Sequence, residues 1–180
     1  MTALHETINR LDRELGARMR GRVARRGRIA RTLAVAGGVM SPLYRIMVLA
    51  LILWRPTRMR GIRALIGAVA AAMIARRMRD GIARPRPGVR AEGGLPSRHA
   101  AAAVAIAGIV AERRRRLSLP MAVITAIGLS GRISTGDHDP ADVVAGAVLG
   151  GVVARVVARV GRSRSPAPAA DDDEAPSVRS

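Results

Sequence analysis

The sequence predicts an all-α bundle embedded in a membrane, and three observations predict it. Apolar segments rich in Ala, Val, Ile and Gly follow one another from Thr32 to Val160. They are apolar nearly all round and leave little polar face for water. Arginines stand in most of the gaps between them, where their long stems can snorkel to an interface. None of the segments reaches the ~18 uncharged residues that identify a span by length alone, so a soluble helical bundle is the alternative.

The 180 residues suit one domain with two polar tails: a basic surface segment over 1–31, a membrane domain over 32–161 and a disordered tail over 162–180. The formal net charge is +18, and all 31 Lys and Arg positions are arginine. An Ala, Arg, Gly and Val vocabulary is what a GC-rich genome writes, so arginine number alone identifies no partner. Anionic headgroups and nucleic acid would both attract such a surface. With Trp54 and Tyr44 as the only aromatic residues, the chain lacks the stacking platforms of single-strand binders, and no specific nucleic-acid partner is expected. The absence of cysteine excludes disulfides and thiolate metal sites.

Along the chain, Ile8, Leu11, Leu15 and Met19 recur at helical spacing among charged neighbours, which predicts an amphipathic surface helix. No signal peptide is evident, and the basic run Arg18 to Arg31 is expected beside anionic lipid in the cytoplasm. The apolar segments are Thr32 to Trp54, Ile62 to Ala75, His99 to Ala111, Leu117 to Gly131 and Val143 to Val160. Placing both the basic run and Arg55 in the cytoplasm requires an even number of crossings between them. A broken hairpin or re-entrant segment near Gly37, Gly38 and Pro42 is therefore expected. In the last segment Gly146 and Gly150 stand four apart, which permits close helix approach. The tail SRSPAPAADDDEAPSVRS is poor in apolar residues and carries no predicted catalytic role.

Two of the three histidines, His99 and His138, stand near the ends of apolar segments among arginines and carboxylates. A single histidine so placed is more often a hydrogen-bonded structural residue; the neighbours argue otherwise. Arg79-Asp80-Gly81-Ile82-Ala83-Arg84-Pro85-Arg86-Pro87 gathers guanidinium forks, which suit phosphate oxygens, in a proline-stiffened turn. Pro96-Ser97-Arg98-His99 opens a helix, where a hydroxyl, free amides and the helix dipole favour an anion. In the string from Gly131 to Asp142, Asp142 lies one turn beyond His138 and can hold its ring, and an oriented neutral imidazole is a competent nucleophile.

These three strings resemble the signature motifs K-x6-RP, PSGH and SR-x5-H-x3-D of the type-2 phosphatidic acid phosphatase family, which includes vanadium haloperoxidases. They match in order through Arg79, Arg86 and Pro87, then Pro96 to His99, then Arg132, His138 and Asp142. Arg77, Arg84 and Pro85 offer a second register for the first motif. The resemblance runs from about Ile62 to Val160 and implies a bundle of about four to six spans. It implies that His138 attacks phosphorus, Asp142 orients it and His99 protonates the leaving oxygen. Arg79, Arg86, Ser97, Arg98 and Arg132 would hold the phosphate. Arg79 stands in place of the family lysine, Arg98 in place of a glycine and Gly131 in place of a serine.

The resemblance implies a lipid phosphate as substrate, membrane lipids as surroundings, and no metal or other cofactor. The carboxylates Asp137 and Asp139 lack a matching ligand cluster elsewhere in the sequence. If the segments span in turn, the motifs share one face, and Arg55 to Arg63, Arg113 to Arg116 and Arg155 to Arg164 share the other. The positive-inside rule then assigns that second face to the cytoplasm and the site to the outside of the cell membrane. The alternative function is a catalytically degenerate membrane protein that keeps the motifs as a structural or anion-binding remnant, because Asp137 and Asp139 bring negative charge to an anion site. A soluble haloperoxidase and a nucleic-acid-binding module complete the rival readings. Nothing in the sequence fixes the particular lipid or the oligomeric state.

Overall fold

The computed structural model describes residues 2–82 and 94–163. Arg86, its rival Arg84 and the prolines after them fall outside these residues, as does the tail from 164 onward. The described residues form six α-helices: α1 (Thr2–Ala24), α2 (Gly27–Leu53), α3 (Arg58–Ile82), α4 (Arg98–Ala111), α5 (Arg115–Ser134) and α6 (Pro140–Ser163). A short 3-10 turn, Arg55–Thr57, joins α2 to α3.

Helices α2 to α6 run alternately up and down as one bundle. Its interior is built from small side chains: Ala64, Ala71, Ala75, Ala100, Ala101 and Ala105 are fully buried. Larger apolar residues point outward, most plainly in the α6 stripe Val144, Val148, Val152 and Val156. Small residues inside and branched apolar residues outside is the arrangement expected when the surrounding solvent is hydrocarbon, because helix association there depends on close backbone approach. Helices α2, α5 and α6 are long and apolar enough to cross a membrane. Helix α4 has the composition but only 14 residues. Helix α3 is long enough at 25 residues, but arginines at both its ends lower its hydropathy. The chain is a helical membrane protein.

The expected break near Pro42 does not occur. Helix α2 runs unbroken for 27 residues with Pro42 inside it. Gly37 serves a helix crossing rather than a turn: an added Cβ there would lie 2.9 Å from the Gly131 carbonyl carbon of α5. Two turns further on, Tyr44 and Thr125 share a buried hydrogen bond of 2.5 Å across the same interface, and Thr125 also donates to the Met121 carbonyl at 2.6 Å. A single crossing puts the start of α2 at the end of the bundle where α5 finishes and α6 begins. Hence α1 and the basic run before α2 lie at the motif end, opposite Arg55, and not on one side with it.

The far end is closed by Arg63. Its Nη2 donates to Glu112 at 2.6 Å and to the Val157 carbonyl at 3.3 Å, tying α3 to the end of α4 and to α6.

Candidate active site

The third motif is a helix start. Pro140 occupies the first helical position of α6, where its missing N–H has no consequence. Asp142 reaches back to accept the Asp139 amide at 3.1 Å, the return half of a capping box. The same Oδ2 faces His138 Nδ1 at 3.6 Å, within ion-pair range and longer than a hydrogen bond. Both side chains are buried, His138 at 2% exposure and Asp142 at 1%. On the other side of the ring, Nε2 lies 3.1 Å from Ser97 Oγ. With the Asp142 carboxylate against Nδ1, the proton belongs on that nitrogen, leaving an Nε2 lone pair for the Ser97 hydroxyl to donate to.

Ser97 itself is doubly fixed. Its hydroxyl caps α4 by accepting the Ala100 amide at 3.3 Å, and its own amide donates to the Asp142 carbonyl at 2.9 Å. Gly146 lets α4 settle onto α6 at this level: any side chain there would run into the Ser97 carbonyl oxygen. Gly150 does the same one turn along, against Ala101. The second and third motifs are therefore brought together by backbone contact.

Arg132 ends α5 beside this group. Its Nη1 donates to Asp137 at 3.1 Å and its Nη2 lies 3.5 Å from Ser41 Oγ of α2. Among the described residues its buried Nε has no acceptor, a donor left over for an anion. Asp137 thus holds the arginine rather than standing as a lone negative charge. Gly131, in the position of the family serine, has a packing cause. It lies on the backbone of Leu33 and Gly37, and a Cβ would fall 2.8 Å from Gly37 Cα.

His99 is half-buried. It lines an open groove of about 530 Å³ between α2, α3 and α4, together with Ser41, Arg45 and Arg98. Ser41, which reaches Arg132 as well, is common to groove and cluster. Arg79 is half-buried and continues the α3 face of Ala71 and Ala75, whereas Arg77 is exposed off that face. Among the described residues no group of three or more His, Asp or Glu side chains is gathered as metal ligands.

Two features escaped the sequence reading. Asp12 of α1 accepts the Ala141 amide at 3.0 Å, so α6 is capped from another helix. Arg20 lies 3.4 Å from Asp139 Oδ1, and Gly16 lies between them, where a Cβ would come 2.7 Å from that oxygen. Asp139 is turned toward α1, fully buried. Burial pushes its carboxyl above the ordinary range and the Arg20 hydrogen bond draws it back. The signal was present as Asp12, Gly16 and Arg20 at spacing four, on the face next to the apolar stripe of Ile8, Leu11, Leu15 and Met19.

The family model described as PAP2 superfamily matches residues 62–165, more than half of the chain, and the chain belongs to that superfamily. No curated protein matched the sequence. Among solved structures, a transmembrane PAP2-type phosphatidylglycerolphosphate phosphatase from Bacillus subtilis superposes with a TM-score of 0.70 at 17% identity, over 91% of each chain. Aquifex aeolicus LpxE superposes with a TM-score of 0.58 at 19% identity, over 72% of this chain and 83% of its own. Both likenesses concern the fold.

Proposed function

We propose that this PAP2 superfamily member is a membrane lipid phosphatase that removes phosphate through a phosphohistidine on His138. The observation that carries the reading is the buried array Ser97, His138 and Asp142, which sets a hydroxyl 3.1 Å from one nitrogen of the imidazole and a carboxylate 3.6 Å from the other. The B. subtilis neighbour is a phosphatase by its description, which supports the same chemistry here. Nε2 attacks phosphorus and the P–O bond to the lipid breaks. His99 protonates the departing oxygen, and water then attacks the phosphohistidine to release phosphate and restore the imidazole. Arg79, Arg132 and Ser97, with Arg86, hold the equatorial oxygens and stabilise charge in transfer without a metal, and Arg98 adds a cation on the groove side of the same headgroup. Substrates within this reading are lipid phosphates and polyprenyl diphosphates. The pairing of Asp137 with Arg132 and of Asp139 with Arg20 favours an intact site over a degenerate remnant.

The test is phosphate release from detergent-purified protein with chelator present. Wild type is expected to release phosphate and to carry an acid-labile, alkali-stable phosphoryl group after rapid quench; His138→Ala should lose both. Folded wild type that releases nothing from any lipid phosphate would leave the degenerate reading.

We further infer that the site faces outward from the cell membrane, since the far end carries Arg55 to Arg63 and Arg113 to Arg116 in short connections. The arginines of α1 at the motif end pull the other way, and surface labelling decides between the two. The chain has no cysteine, and an impermeant maleimide on intact cells should label Thr135→Cys and spare Ser118→Cys. The reverse pattern turns the protein over.

A further inference from the structure

The groove beside His99 has a polar end and an apolar length. Ser41, Arg45, Arg98 and His99 lie toward the motif end, and the walls beyond are apolar, among them Leu49 and Ile52 of α2, Leu65 and Val69 of α3. It thus has the polarity of a lipid lying headgroup toward the motifs. Arg45 lies one helical turn past Ser41, about 6 Å further along α2 toward the apolar end. It is exposed on a helix long and apolar enough to span, a placement that is costly for a charge in hydrocarbon. Arg98 is exposed on the same groove, in the position of the family glycine. Among the described residues no carboxylate pairs with Arg45 or Arg98, whereas Arg20, Arg63 and Arg132 each have one. Among the described residues, two cations without a carboxylate partner thus line the groove that Ser41 and His99 share.

Resting on the phosphatase reading above, we propose that Arg45 and Arg98 form a second anion subsite. It holds a phosphate placed between the reacting phosphate and the lipid tails. The substrate class is then a lipid with two anionic phosphates in its headgroup. The inner one is either the second half of a diphosphate or a phosphodiester linked to the outer monoester. Arg132 and Ser97 take the terminal phosphate, and the guanidinium forks of Arg45 and Arg98 take the inner one. A simple glycerolipid monophosphate fills the first subsite and leaves the second empty.

The experiment compares three lipids of matched tails in the same detergent: a monophosphate, a diphosphate, and a phosphomonoester joined through glycerol to a phosphodiester. Wild type, Arg45→Gln and Arg45→Lys are each assayed for kcat and KM. Wild type should prefer at least one two-phosphate lipid. Arg45→Gln should lower that preference by about tenfold, the effect of one lost charge-assisted hydrogen bond, through KM rather than kcat. Arg45→Lys should restore part of it. The lipid whose KM moves identifies which inner phosphate the subsite takes. An equal loss on all three lipids, or no change on either two-phosphate lipid, overturns the subsite. Binding of a non-hydrolysable lipid bisphosphonate against the matched monophosphonate separates this from failure of the phosphatase reading. Selective binding that Arg45→Gln removes upholds the subsite even without turnover, and equal binding of both ligands sinks it.

Discussion

Helices α4 and α1 both pack on α6, the first through backbone and the second through charge. α4 rests on Gly146 and Gly150, with its Ser97 and Ala101 carbonyls against the positions where side chains would be. α1 touches the start of α6 through the Asp12 cap on Ala141 and the Arg20 pair with Asp139. It leaves Ile8, Leu11, Leu15 and Met19 exposed. The difference follows from depth. Between helices in hydrocarbon there is no water to expel, so affinity comes from close van der Waals approach, and small residues supply it. At the motif end polar groups can be hydrated before assembly, so capping and ion pairing suffice, and the apolar stripe of α1 is free to lie on the lipid surface. The core interface sets the distance from Ser97 to His138; the surface interface sets how firmly the loop carrying His138 is held.

The largest effect should come from breaking the first interface. Gly146→Leu drives a side chain into the Ser97 carbonyl and the Ala100 methyl, so α4 must move away from α6. Overpacking of this kind costs on the order of 1–3 kcal/mol, and a displacement of about 1 Å between nucleophile and partner costs roughly a hundredfold in rate. Phosphatase activity is expected to fall at least about a hundredfold. Gly151→Leu on the same helix is the control, because its Cβ meets only the end of the Arg155 side chain at 3.4 Å. It should retain activity within about twofold. A folded Gly146→Leu protein with near-normal activity would show that the glycine contact does not set the site.

How much of this was legible follows the same division. The helices, the glycine pair and the motif histidines stood in the sequence, because apolar runs, small-residue spacing and helix-start chemistry are local. The structure gathers Ser97, His138 and Asp142, and the described part of the first motif leaves Arg79 on the bundle face. The continuity of α2 was not legible, since Gly37, Gly38 and Pro42 read as a break when their partner is unknown. Only the position of Gly131 across the interface shows that Gly37 serves a crossing. The α1 contacts were hidden for a different reason. Arg20 and Asp139 are 119 residues apart, and Asp12 and Ala141 129, so no local pattern joins them. The flanking aspartates were read as a burden on an anion site because their arginine partners were not visible.

The smaller effect belongs to the α1 interface, and pH gives it a signature. Asp139 is buried and its carboxyl is raised, so the fold favours its protonated form; Arg20 opposes that by pairing with the ionised form. Arg20→Ala removes the opposition and should raise the carboxyl further. At any pH above the carboxyl's raised folded-state value, the variant must keep a buried carboxylate without its partner, at a cost of about 1–2 kcal/mol. As pH falls through that value the carboxyl takes a proton and the cost disappears. The variant should therefore be less stable than wild type at the alkaline end and converge with it on acidification, as read by thermal melting in detergent across pH 4 to 8. Wild type, whose carboxyl is raised less, should show a shallower version of the same trend. A stability difference that is constant across this range would mean that Arg20 acts through packing alone, and that α1 is held to α6 by the Asp12 cap.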